Sequence, residues 1–261
     1  MSGGKWDDLT ARLLSAAVMV AVGGAAIAAG GWAFAVLVSV ASGLMIWELA
    51  RMLAPGTRLA QPMGAVMALC LLASPVLPLA AALPLALVPA AWGLWQSPAD
   101  RRLFGGYGAV IGLAGLGLIV MRDTMGLGWI TWLVGVVVVS DVAGYFVGRI
   151  VGGPKLWPRV SPKKTWSGTL GGWIGAALLG LGLGSALGIG PALAVLSVFA
   201  CMASQAGDIA ESAIKRHAGI KDSSNLIPGH GGLLDRFDGL LGAAVFLVIA
   251  GLIFGFPAVV A

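Results

Sequence analysis

Long apolar runs separated by short polar connectors occupy this chain from end to end. Nine can be delimited, at residues 13–31, 33–50, 62–77, 79–97, 105–121, 127–148, 169–189, 191–213 and 239–258. Most approach the ~20 residues that a helix needs to cross a bilayer core of about 30 Å. Ten-residue alternating segments, the mark of a membrane β-barrel, are absent. The pattern predicts an all-α, polytopic integral membrane protein with about nine transmembrane helices. Pro75, Pro78, Pro84 and Pro89 interrupt the third and fourth runs, where each removes a backbone donor. Lys5 and Arg12 precede the first run and AAIAAG lies near its end. A run of that length is expected to stay as a membrane helix rather than be cleaved as a signal peptide.

Composition supports the pattern. The chain is 59% hydrophobic and 10% charged, with a mean hydropathy of +0.96, whereas soluble domains are about 25% charged. The 41 glycines suit close helix packing in a membrane. The net charge of +5 is read as topological and lipid-facing, and no nucleic-acid partner is expected. Cys70 and Cys201 lie in apolar runs without paired spacing, so neither a disulfide framework nor a zinc site is indicated.

With nine spans and the N-terminus inside, fifteen of the sixteen Lys and Arg residues fall on the cytoplasmic side, leaving only Arg122 outside. This asymmetry predicts a cytoplasmic N-terminus and an external C-terminus. Residues 1–126 read as N-terminal scaffold helices, because their polar positions lie in short connectors. Residues 127–261 read as the catalytic region, with intramembrane carboxylates and two long cytoplasmic loops. No internal repeat of the kind found in secondary transporters is visible.

Four groups of residues carry candidate chemistry. Asp141 sits about 12 Å inside its helix end at 1.5 Å per residue, with Tyr145 on the same face. A carboxylate at that depth is functional by default, the other reading being a packing ion pair. Lys163, Lys164 and Thr165 in S-P-K-K-T-W suit either phosphate contact or the steering of topology. Asp208, Glu211, Ser212 and Lys215 form one helical stripe, in which Glu211 can pair with Lys215 while Asp208 needs a partner.

The fourth group is the densest. Residues 215–239 hold four basic residues, three acidic residues and both histidines. Gly231 and Gly232 lead to Asp235 and Asp238, one helical turn apart, where they complement the macrodipole or join a metal site. Carboxylates beside Lys and Arg are what a magnesium-bound polyphosphate requires. His230 suits a phosphate contact or a turn, and His217 a loop.

The chain closely resembles the bacterial phosphatidate cytidylyltransferases, or CDP-diacylglycerol synthases. Their signature is present without a gap as Ser212, Lys215, Arg216, Lys221, Asp222, Pro228, His230, Gly231, Gly232, Asp235, Arg236 and Asp238. The likeness extends to Ser161–Trp166 and to Asp141 with Tyr145. Two positions depart from it: Ser167 stands where the family usually has Glu, and Gly144 where it usually has Ala.

The resemblance implies a nucleotidyltransferase of the bacterial inner membrane that converts CTP and phosphatidic acid to CDP-diacylglycerol and pyrophosphate, the first committed step to phospholipids. It implies Mg²⁺, as two divalent ions or one divalent with a monovalent cation, held by Asp208, Asp235, Asp238 and Asp141. Lys215 and Arg236 join Asp208, Asp235 and Asp141 as catalytic residues. Lys163, Lys164, Thr165, Ser212, Arg216, Lys221, His230, Gly231 and Gly232 would meet substrate. The active site is expected to face the cytoplasm, and a homodimer stands among the expected partners. The competing readings are a transporter or flippase for an anionic lipid or nucleotide, a CDP-alcohol phosphotransferase and a non-catalytic assembly subunit. The phosphotransferase motif is missing, since Asp238-Gly239 continues as Leu-Leu-Gly-Ala.

Overall fold

In hydrocarbon every backbone N–H and C=O must be answered within its own segment, and apolar runs of this length do so as helices. The computed structural model describes residues 4–96 and 100–254. Among the described residues are nine α-helices, one for each apolar run. They are α1 (Gly4–Ala29), α2 (Gly31–Leu53), α3 (Ala60–Leu72), α4 (Leu79–Gln96), α5 (Arg101–Thr124), α6 (Leu127–Ile150), α7 (Trp166–Leu183), α8 (Ala192–His217) and α9 (Leu234–Phe254).

Six of them, α1, α2, α5, α6, α8 and α9, are long and apolar enough to cross a membrane. The chain is therefore a multi-helix membrane protein, with six helices of spanning character where the sequence suggested nine crossings. Proline shortens the third run: α3 has 13 residues and gives way to a 3-10 turn at Ser74–Val76 around Pro75. Pro84 and Pro89 are accommodated inside α4. Residues 255–261, on which the expected external C-terminus depends, lie outside the described residues, as does the Lys5 side chain.

The lysine loop adds an element that the all-α expectation lacked. Two short strands, β1 (Lys155–Trp157) and β2 (Ser161–Thr165), pair antiparallel, with Lys155 opposite Thr165 and Trp157 opposite Ser161.

The chain divides into two units, Met1–Ile119 with Ala218–Phe237, and Val120–His217 with Asp238–Ala261. The division drawn from the sequence falls at residue 126; by contrast, residues 120–126 group here with the second unit, and the charge-dense segment 218–237 groups with the N-terminal helices. In the first unit α2 and α3 approach closely at Gly43 and Gly64. A Cβ on either glycine would lie 2.6 Å from the other's carbonyl oxygen. Ile46, Leu49, Met67, Leu71, Phe104 and Ile111 are buried within this unit.

In the second unit α6, α7 and α8 pack together. A Cβ on Gly168 would lie 2.5 Å from the Gly144 carbonyl oxygen, so α6 and α7 meet backbone to backbone. That approach leaves room for a polar seam. Trp132 Nε1 donates to Ser197 Oγ at 2.9 Å, Trp173 Nε1 to Gln205 Oε1 at 2.9 Å, and Cys201 Sγ to Ser140 Oγ at 3.1 Å. Gln205 Nε2 reaches the Thr169 carbonyl at 3.3 Å. Interhelical bonds of this kind and close glycine contacts are what join helices in lipid, where apolar side chains gain little from one another.

Gly168→Ala is expected to destabilise the protein by about 1–3 kcal/mol through overpacking. Gly106→Ala, whose new methyl would meet nothing within 4 Å, should be neutral or mildly stabilising. Thermal unfolding of both variants in detergent checks the contrast.

Candidate functional site

In the second unit the lysine hairpin delivers its charges by alternation. Successive side chains on a strand point to opposite faces, so Lys163 is exposed while Lys164 turns inward. Lys164 Nζ reaches Asp208 Oδ2 at 2.5 Å, with both side chains less than a third exposed. The partner that the sequence left unnamed for Asp208 is thus Lys164, brought from β2 to α8. Ser212 Oγ adds a bond to Asp208 Oδ1 at 3.3 Å. One turn further on, Glu211 is fully buried and pairs with Lys215, as the spacing predicted.

Asp141 on α6 and Asp238 on α9 both lie within electrostatic reach of Asp208, and Asp141 also senses Lys164. Asp141 is exposed at the molecular surface rather than packed away. Three carboxylates are therefore grouped in one electrostatic neighbourhood with an ammonium already seated on one of them. Hard carboxylate oxygens are the donors that Mg²⁺ prefers, and it retains several waters. The donor chemistry fits a divalent cation. Among the described residues no three such side chains are drawn into a closed ligand set.

The hairpin also explains the residues around it. The Thr165 side chain is buried and caps α7, accepting from Gly168 N at 3.2 Å. Ser167, where the resembling family usually carries Glu, bonds the Gly152 carbonyl and lies 3.1 Å from Thr165 Oγ1. It ties the start of α7 to the loop after α6. A methyl on Gly144 would stand 3.3 Å from the Gly168 carbonyl, a tight but small demand. Tyr145 accepts from Arg149 Nη1 at 2.6 Å.

In the first unit the segment between α8 and α9 is held by two carboxylates. Asp235 Oδ2 accepts from Ser223 N at 2.8 Å, Ser223 Oγ at 2.9 Å and Gly232 N at 2.8 Å. Glu48 on α2, fully buried, accepts from Ser224 Oγ at 2.6 Å and Leu233 N at 2.9 Å on Oε1, and from Leu234 N at 2.7 Å on Oε2. The bonds from Leu233 and Leu234 answer amides that the start of a helix leaves without intrahelical partners.

Glycine is required at the turn. Gly231 has φ 82°, and a methyl on Gly232 would fall 1.9 Å from Ser223 Oγ. Arg236 Nε donates to the His230 carbonyl at 2.8 Å, and His230 Nδ1 lies 2.8 Å from Ser15 Oγ. Lys221, Asp222, Arg216 and Arg236 are exposed.

Glu48 escaped the sequence reading. Its signal was available: it is the one carboxylate in the run 33–50, and an ionisable residue inside an apolar run is functional by default. Its partners, however, lie 176 to 186 residues further along the chain. Ser15, whose partner His230 lies 215 residues on, was missed for the same reason, whereas Ser223 was missed although Asp235 is only 12 residues away.

The model of the cytidylyltransferase family matches residues 10–254. The chain belongs to the cytidylyltransferase family. A phosphatidate cytidylyltransferase of Brucella suis is 44% identical over 169 residues, covering 62% of this chain and 61% of that protein. The Bacillus subtilis phosphatidate cytidylyltransferase is 43% identical over 128 residues, 48% of each chain. That of Mycobacterium bovis is 40% identical over 137 residues, covering 49% of this chain and 43% of its own. The matched stretch thus spans about three fifths of the Brucella relative and less than half of the other two.

Lys164→Ala would leave three neighbouring carboxylates short of a cation. In a chelator the thermal midpoint should fall by about 2–4 °C, the effect of roughly 1 kcal/mol in a chain of this size. Added Mg²⁺ should restore it. A midpoint indifferent to Mg²⁺ in this variant would argue that the carboxylates hold no divalent ion.

Proposed function

We propose that this protein is a phosphatidate cytidylyltransferase, joining CTP and phosphatidic acid to give CDP-diacylglycerol and pyrophosphate. The observation that carries the reading is the Ser212–Asp238 signature, complete in sequence and folded as a glycine turn leading into α9. The Gly232, Leu233 and Leu234 amides of that turn are held by Asp235 and Glu48, so the turn serves to mount Asp235 and Arg236 at the start of α9. Family membership and the named relatives support the same reaction.

In the reaction an oxygen of the lipid phosphate attacks the α-phosphorus of CTP. The new P–O bond forms as the α–β bridging P–O bond breaks, and the electron pair leaves with pyrophosphate. A phosphomonoester with a second pKa of about 6 is largely ionised at neutral pH, so no general base is needed. What the chain must supply is alignment and neutralisation of charge. Lys163, Lys164, Lys215, Arg216, Lys221 and Arg236 are assigned to phosphate oxygens, with Thr165, Ser212, His230, Gly231 and Gly232 shaping substrate contacts. Asp208, Asp238 and Asp141 are the residues that would hold Mg²⁺, and the signature adds Asp235. When bound, the ion would supply positive charge against the triphosphate.

The pairing of Lys164 with Asp208 gives the lysine two tasks in this scheme. It balances the carboxylate before substrate arrives and is at hand for phosphate afterwards. The Lys and Arg asymmetry supports a site facing the cytoplasm of a bacterial inner membrane, with the N-terminus inside and the C-terminus outside. A membrane-impermeant thiol reagent should label a cysteine at position 224 only in opened cells; labelling of intact cells would reverse the orientation.

Purified protein given phosphatidic acid, labelled CTP and Mg²⁺ should release one pyrophosphate per CDP-diacylglycerol formed. Asp208→Asn should lose more than the roughly 10²–10³-fold expected for one electrostatic donor, with its fold intact. Binding or transport of CTP without pyrophosphate release would instead favour a carrier.

A further inference from the structure

We infer that Glu48 is a positioning residue for the signature loop, holding from α2 the turn on which Asp235 and Arg236 are mounted. Its effect on turnover rests on the cytidylyltransferase reading, whereas its hold on the loop does not.

The two carboxylates of the first unit divide the loop between them. Ser223 and Gly232 bond Asp235, a residue just beyond the turn. The next residues along, Ser224 and Leu233, bond Glu48, and so does Leu234. Asp235 closes the loop on itself, and Glu48 fastens the closed loop to α2. The backbone is pressed against this anchor: a Cβ on Gly232 would come within 2.5 Å of Glu48 Oε1. Glu48 has no exposed surface, so it acts through the loop rather than by touching a substrate.

The chemistry calls for a carboxylate. Both oxygens accept, and the three donors include two successive amides at the start of α9. Glutamine offers one acceptor oxygen and an NH₂ group that would face an N–H or O–H donor. Aspartate keeps both acceptors on a stem one methylene shorter. A loop released at this point would let Asp235 and Arg236 drift, and a misplacement of about 1 Å can cost a factor of about 10² in rate. The loss should fall on kcat, because Lys163, Lys164 and Lys215, assigned above to phosphate oxygens, lie outside this loop.

The experiment compares wild type, Glu48→Gln and Glu48→Asp in detergent by amide hydrogen exchange, thermal midpoint and CTP turnover with phosphatidic acid. For Glu48→Gln, exchange over residues 222–235 should rise at least about tenfold while α3 and α4 stay protected. Its kcat should fall about 10²-fold with KM for CTP within about threefold, and Glu48→Asp should recover part of both.

Unchanged loop exchange in Glu48→Gln overturns the inference, as does a raised exchange with kcat within twofold of wild type. A rise spread evenly over α2–α5 with a lowered midpoint also overturns it, as a general structural role. If Glu48→Gln does not purify, Ser224→Ala removes one donor alone and should raise exchange at residues 223–226 by a few-fold; no rise there overturns it equally. Should wild type itself form no CDP-diacylglycerol, the proposed function fails while the exchange comparison still decides the role of Glu48.

Discussion

A buried carboxylate is tolerated only where donors surround it, and Glu48 meets that condition with three hydrogen bonds drawn from a single loop. The dependence runs both ways. The segment between α8 and α9 has no regular secondary structure beyond one bridge between Ile227 and Gly231, so its amides need acceptors from elsewhere. Glu48 and Asp235 provide them. The loop's glycines follow from this arrangement, since the chain must turn at positive φ at Gly231 and lie against a carboxylate at Gly232. What looks in the sequence like a list of ligands is, in part, the scaffold that lets the remaining ligands be presented.

The second unit answers a different problem, an excess of negative charge near the apolar region. Asp141, Asp208 and Asp238 influence one another, and Lys164 and Lys215 lie among them. Carboxylates close together in a medium of low dielectric repel unless a cation intervenes. Lys164 is well placed to be that cation because it comes from a short hairpin rather than from the helices themselves. A lysine on α8 would be fixed in register with Asp208. One on β2 is carried on an independent element whose neighbour Lys163 faces the other way.

Much of the fold was legible. Each of the nine apolar runs corresponds to a helix, because in a membrane the length of a run and the demand for internal hydrogen bonds leave little alternative. Glu211 with Lys215 was legible too, since i,i+4 geometry is local. The β-hairpin was hidden because Lys155–Thr165 is rich in proline and basic residues, without the alternating apolar pattern that announces strands. The Asp208–Lys164 pair depended on that hairpin and was hidden with it. Asp235 was legible as a carboxylate of the signature. Its bonds to Ser223 and Gly232 were not, because a sequence shows the residue at a turn but not which loop amides fold back onto it.

The glycines connect these levels. Gly144 and Gly168 let α6 and α7 touch, which brings Ser140, Gln205 and Trp173 into one polar seam. That seam fixes α8 against α6 and α7, and α8 carries Asp208. Gly207 and Gly242 do the same between α8 and α9, where a Cβ on Gly207 would lie 2.4 Å from the Asp238 carbonyl oxygen. The carboxylates therefore meet because the helices bearing them have no side chain at the crossing points. In water such an approach could be driven by burying apolar surface. In lipid it depends on van der Waals contact and on interhelical hydrogen bonds, so the small residues far from any charge bear directly on where the charges stand.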